Sequence, residues 1–389
     1  MTAFTRRGFL AATAVGAAGL SGCTTSGSES SDPPADDDSG TGPPASPAGS
    51  EAADGAPTRT DAPASDPTEA LPTAGGALPL PMTPAALRAE ARSGGPSKDG
   101  IPSIDDPSFV AADRVDFLEG GDPVFGVARG DTAKAYPQNI LVHHEICNDT
   151  VDGTPVAVTY CPLTGTVQGF ERGDTTFGVS GRLINNNLVM YDRATETWWP
   201  QILATSIPGP WNEDPPTVSL REFRLVWTTW EEWRHEHPGT EVLSTDTGHV
   251  RNYGRDPYGS YNPREGYYRD GTTLYPRLAT DDSHHPKTVF VGARTPEGAV
   301  AFEKRAVTDA GTMDGRLGDT PVLAVADPRY TTAYVYLNPE ARSFEYEDGR
   351  LRGDGERFAP DDLPLRRVRA FDAMWFAWRG YYPDTEVYA

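Results

Sequence analysis

Apolar side chains fall into three regimes along the chain. A short run of small apolar residues occupies positions 8–20, and from 24 to about 76 large apolar residues are almost missing. Beyond that, short apolar stretches alternate with Gly, Pro, Asn and Asp, the punctuation expected of β-strands. "DPVFGVARGDTAKAYP" reads as strand, Gly-Asp turn, strand, and "NILVHHEIC" and "TPVAVTYC" read as two strands joined through "NDTVDG". "TTFGVSG", "NLVMYD", "KTVFVGAR", "GAVAFEKRAV", "PVLAVAD" and "TAYVYL" continue the series. Helical signals are confined to three places. These are "TPAALRAEARSG", with Thr83 as N-cap and Gly94 as stop, "TTWEEWRHEHPG", ended by Pro238, and "FDAMWFAWRGYYP".

The two tryptophan-bearing helices belong to a longer correspondence. Trp230 and Trp233 align with Trp375 and Trp378, and "HPGTEV" with "YPDTEV", at an offset of 145 residues. Upstream, Thr154-Pro155-Val156 align with Thr320-Pro321-Val322 at an offset of 166, and "FGVARGDTAKAYP" resembles "FVGARTPEGAVAF". Three matches in one order predict two related units. The second is shorter by about twenty residues, the missing stretch lying around "INNNLVMYDRATETWWPQI", and it carries Asp327 where the first has Cys161. The expected fold is therefore mainly β, a β-rich α+β class. It has two related β subdomains from an internal duplication, each closed by a short Trp-bearing helix.

The N-terminal regimes read differently. Arg6-Arg7, the apolar run and "LSGC" resemble a twin-arginine export signal with a lipoprotein box over 1–23, which makes Cys23 the lipidated residue. The Ser/Pro/Gly-rich acidic stretch 24–76 cannot bury enough surface to offset its ordering entropy and reads as a stalk. An N-terminal extension with a short helix (77–105), a first β subdomain (106–245), a Tyr/Arg/Gly-rich connecting loop (246–285) and a second β subdomain (286–389) follow. The expected location is the extracellular face of a membrane, held by the lipid. The formal charge of −22, with only 34 Lys and Arg against 56 Asp and Glu, argues against nucleic acid, which requires a basic footprint. Hydrated surface carboxylates of this kind suit high salt.

The blocks "HEICND", "YCPLTGT" and "MYDRATETWWPQ" resemble the domain of unknown function 3179 family over nearly all of 100–389. That resemblance implies exported or membrane-anchored proteins and no particular activity. It also implies a second cysteine within the CPL motif and an aliphatic residue near "HEIC". Thr164 and Cys147 stand at those positions, which weakens a CxxC redox or metal role.

With Cys23 set aside, Cys147 and Cys161 remain, and an exported chain with two thiols suggests a disulfide. A two-residue turn at Asp152-Gly153 would oppose residues whose numbers sum to 305. Cys161 then faces His144, and Cys147 points to the other sheet face, against that disulfide. A Cys beside a His reads as an activated nucleophile, as half of a copper or zinc site, or as a buried thiol next to a satisfied imidazole. Glu145, His143 and Met190 are further ligand candidates, although His143 and Glu145 are expected on the wrong face. Asn185-Asn186-Asn187 predicts a turn with left-handed positions. Asn187, Tyr191, Asp192, Arg193, Trp198 and Gln201 are candidates for a ligand pocket, with one of Trp198 and Trp199 in the core. The long "NYGRDPYGSYNPREGYY" loop suits a planar or anionic ligand. The leading expectation is a binding protein for a metal or small ligand. An enzyme using Cys161 and a surface scaffold are the alternatives.

Overall fold

The computed structural model describes residues 66–389. The signal-like segment, Cys23 and nearly all of the stalk-like stretch lie outside the described residues. After helix α1 (Pro84–Ala89), capped by Thr83, the chain enters a β-rich body with few short helices. The helix stops at Glu90, short of the expected Gly94. No helix among the described residues is long and apolar enough to cross a membrane.

The first half opens with hairpin β1–β2 (Pro123–Arg129, Thr132–Pro137) and the single turn α2 (Gln138–Leu141). Strands β3 (Ile146–Val151), β4 (Thr154–Cys161) and β5 (Thr166–Glu171) form a meander, and β6 (Phe177–Ile184), β7 (Asn187–Asp192) and β8 (Trp198–Pro200) form a second. Then come β9 (Glu222–Phe223), β10 (Val226–Thr229), α3 (Trp230–Glu236) and β11 (Glu241–Leu243). The second half runs β12 (Val289–Thr295), β13 (Gly298–Glu303), α4 (Lys304–Ala310), β14 (Thr312–Leu317), β15 (Thr320–Asp327) and β16 (Thr332–Leu337). It ends with β17 (Arg366–Val368), β18 (Ala370–Met374), α5 (Trp375–Tyr381) and β19 (Glu386–Tyr388).

The halves share one strand order. In the first, β10-β1-β2-β11 form one sheet, extended beyond β11 by the short strand Phe109–Ala111, and β9-β5-β4-β3 another. In the second, β18-β12-β13-β19 and β17-β16-β15-β14 do the same. The pairing sense matches as well: β11 lies parallel to β2, and β19 parallel to β13. Register agrees residue by residue, since Ile146↔Thr159 and Thr312↔Val325 are both separated by the 166-residue offset. The main difference is an insertion: the first half carries the β6–β8 sheet, and the second a small meander between Glu345 and Phe358.

Each closing helix is locked by the same device. Trp233 lies so close over Gly126 that an added Cβ would sit 2.3 Å from the indole, and Trp378 lies over Gly292 with 2.2 Å. Each indole N–H donates to a threonine, Thr240 or Thr385, at 3.0 Å. The glycines are needed for this approach, because any side chain would meet the ring. The helices differ in surroundings, and composition follows. α3 buries only Trp230 and Trp233 and presents Glu231, Arg234 and His235 outward. In α5, Trp375, Phe376, Ala377, Trp378, Gly380 and Tyr381 are all buried, in one apolar cluster with the inserted sheet.

Candidate functional site

The Asp152-Gly153 turn forms as expected, with positive φ at both residues and opposed residues summing to 305. The ladder, however, ends at Ile146↔Thr159. The "NILV" stretch is not strand, because Gln138–Leu141 forms a helical turn and Glu145 takes φ +60°. His144 is thereby lifted out of register and does not face Cys161. Its Nδ1 lies 2.7 Å from the Pro102 carbonyl and its Nε2 2.7 Å from the Tyr253 hydroxyl. Burial drives its pKa down to about 4 against the opposing effect of the Pro102 bond, so the ring is neutral at pH 7. The expected Cys161–His144 pair is therefore corrected: each belongs to a different apolar cluster or its margin.

Cys161 is fully buried. Its Sγ accepts the Leu188 N–H at 3.4 Å and contacts the Asn186 carbonyl at 3.5 Å. Burial, then the nearby Glu145 carboxyl, push the thiol up to about 11. A thiol so raised is a poor nucleophile. Cys147 and Cys161 are both free, as the register implied. Among the described residues, no group of three or more His, Cys, Asp or Glu converges as a metal shell. The copper or zinc expectation for Cys161 and His144 thus has no donor set to support it, and Met190 lies in the apolar core.

The expected pocket residues turn out to hold the fold together. Asn185 and Asn186 take positive φ, as three consecutive asparagines suggested. Asn185 donates to the Ala377 carbonyl of α5, Asn186 to the Tyr275 carbonyl, and Asn187 to Thr164 and Gln201. Gln201 donates to Thr159 and Thr166. Asp192 accepts from Thr195 and from the Trp199 indole. Tyr191 donates to Asp99, and Arg193 pairs with Asp99 and Asp105. Trp198 and Trp199 are both in the core. Asn187, Tyr191, Asp192, Arg193 and Gln201 are thus engaged by protein groups, while the buried Trp198 indole N–H has no protein partner.

The "CPLTGT" turn is a junction. The Leu163 carbonyl accepts from the Tyr267 hydroxyl at 2.8 Å, and the Thr164 carbonyl from the backbone N–H of Met374 at 3.0 Å. Gly165 at φ +56° leaves room for Met374, 3.0 Å from where a Cβ would be. The tyrosine-rich loop lies over this junction. Tyr258, Tyr261, Tyr267 and Tyr268 touch one another, with ring centroids 5.0–6.5 Å apart. Buried between loop and α5 is Lys287, 1 % exposed, its Nζ 2.9 Å from the Tyr267 ring centre and without a hydrogen-bond partner. The other three lysines each pair with a carboxylate: Lys98 with Glu196, Lys134 with Asp149, Lys304 with Asp372. Burial, reinforced by the charge of Arg277, lowers Lys287 to about 7. Burial raises Glu145 to about 8. In this buried cluster the thiol and the carboxyl are thus neutral at pH 7, and the amine is close to half-protonated.

Beside this cluster a cleft opens between the halves. One part, about 400 Å³, is lined by Arg264, Thr288, Glu303, Lys304 and Arg305 among others. The adjoining part, about 250 Å³, shares Arg264, Lys304 and Thr331 with it and adds Trp227, Tyr261 and Glu232. Trp227 and Tyr261 face each other at 4.6 Å. Arg264 lies over Tyr261 and donates to the Lys287 carbonyl at 2.9 Å.

The family model described as "Protein of unknown function (DUF3179)" matches residues 98–385. The chain belongs to this family. No curated protein and no solved structure matches it. The family match spans both halves and the tyrosine-rich loop, so the junction and the cleft lie within the matched region. Sequence reasoning singled out that loop, Arg264 included, but missed Lys287 and Lys304. The available signal was the scarcity of lysine, since each of the four had to be accounted for. Glu145 was assigned to the wrong face because its left-handed φ breaks the strand alternation.

Proposed function

We propose that this protein is an exported, lipid-anchored binding protein whose ligand is a small molecule with a planar ring and an anionic group, held in the cleft between the halves. The observation that carries this reading is the cleft lining. A Trp227/Tyr261 wall stands beside Arg264, Lys304 and Arg305, against Glu232 and Glu303, in a chain of net charge −22. Aromatic walls with a few convergent polar groups are what small-molecule sites require. Lys304 is paired with Asp372 and Arg305 with Asp309, so Arg264, which pairs with no carboxylate among the described residues, is the cation that the ligand's anionic group would meet. The Cys23 anchor rests on the arginine pair and the cysteine box. We further propose that the halves descend from one duplicated unit, on the strength of the shared strand order and the Trp–Gly–Thr lock.

Saturation-transfer NMR with benzoate and with neutral benzyl alcohol tests the cleft. Benzoate should give the stronger signal, and Arg264→Ala should weaken it. Equal signals from both probes, unchanged in Arg264→Ala, would refute the reading.

A further inference from the structure

A second cavity, of about 290 Å³, lies apart from the cleft and is lined by Arg224, Arg367, Val368, Arg369 and Ala370. It forms where the segment before β10 crosses edge strand β17. Three guanidinium side chains line it and no carboxylate does, although the chain has 56 Asp and Glu against 34 Lys and Arg. Among the described residues, none of the three pairs with a carboxylate. The carboxylates around them are committed elsewhere: Glu222 to Arg294, Asp372 to Lys304, Glu171 to Arg129 and Arg221, and Asp361 to Arg329.

Arg224 is the informative member. Its Nη2 donates to the Ala333 carbonyl at 3.1 Å, and its guanidinium lies 3.9 Å from the Tyr334 ring centre. Its Nε and Nη1 are buried and have no protein partner. Arg294 also has an unpartnered Nε and Nη1, but Glu222 neutralises it at 2.9 Å. Arginine cannot shed its proton to escape burial. An unpaired buried guanidinium beside two like charges is costly unless an anion completes it. The planar fork matches an oxyanion with two parallel N–H donors.

We propose that this cavity binds a tetrahedral oxyanion, either free or as the phosphate group of a small ligand, with Arg224 as the buried donor and Arg367 and Arg369 closing the rim. Desolvation lowers the pKa of both Arg224 and Arg369, in keeping with a site that gains from a bound negative charge. Glu222 opposes this at Arg369 and Asp372 opposes it at Arg224, while the like charge of Arg367 adds to it at both and Arg224 adds to it at Arg369.

Isothermal titration with inorganic phosphate at constant ionic strength, in chloride buffer, tests this. The protein should bind phosphate, and Arg224→Gln should lose at least ~10-fold in affinity, as expected for a charge-assisted bidentate donor. Because Arg224 is buried, Arg369→Gln, at the exposed rim, provides a second variant that should weaken binding without unfolding the protein. Arg114→Gln, exposed and lining neither this cavity nor the cleft, should leave phosphate affinity unchanged. Equal affinity for phosphate and sulfate assigns the site to a free oxyanion, and tighter binding of glycerol phosphate than of phosphate assigns it to a larger ligand. No binding, or binding that persists in both Arg224→Gln and Arg369→Gln, would overturn the proposal.

Discussion

Replacing Lys287 by Met should stabilise the protein, and more so in acid. The substitution keeps an unbranched chain against Tyr267 and Phe376 while removing the unpaired amine. In the unfolded chain the amine titrates near 10.5, and in the fold near 7. The gap corresponds to at most ~5 kcal/mol, at about 1.4 kcal/mol per tenfold change. Relaxation around a real buried charge reduces this, and we expect about 2 kcal/mol. The sign follows from proton counting. Between pH 7 and 10.5 the unfolded state holds the proton and the folded state does not, so wild-type stability rises with pH across that window. Below 7 both states hold it, and the folded state bears the full cost of a buried cation. Lys287→Met should therefore exceed wild type by the largest margin at pH 6, and the margin should shrink by pH 10.5. Urea unfolding at the two pH values measures this. A variant less stable than wild type at pH 6, or a margin that does not change with pH, would refute the reasoning.

Other perturbations probe the remaining features. Gly126→Ala and Gly292→Ala should each destabilise by about 1–3 kcal/mol or more through overpacking against Trp233 and Trp378, read by urea unfolding; a neutral result at either would break the equivalence of the two locks. Glu145, raised to about 8 from 4.5, contributes stability that is fully present below 4.5 and lost as pH rises through 8, so Glu145→Gln should exceed wild type at pH 9 and match it near pH 4. Cys147 and Cys161 should resist a thiol reagent in the native protein and react on unfolding, since both are buried; fast native labelling of Cys161 would revive the nucleophile reading. Cys23→Ser should shift the protein out of the membrane fraction, and unchanged membrane retention would count against a lipid anchor.

Much of the fold was legible because it rests on local chemistry. Asp152-Gly153 supplied the two positive-φ positions of its turn, and that fixed the β3–β4 register by counting alone. Thr229 and Glu232 mark the start of α3 through a reciprocal cap. The repeated spacing of Trp230 and Trp233 against Trp375 and Trp378 anticipated two closing helices, and the fold added the lock of each on a glycine and a threonine. The site was less legible, since it depends on contacts between distant segments. His144 was read into a strand because apolar runs do not distinguish a strand from a helical turn, and one left-handed residue, Glu145, was enough to shift every neighbour. Asn187, Asp192 and Gln201 looked free in sequence, but in the fold each is satisfied by protein atoms. Lys287 and Arg224 carry no local signature at all. Their lack of a counter-charge exists only after loop, helix and sheet have closed around them, because pairing in three dimensions, not spacing along the chain, decides which charge is left without a partner.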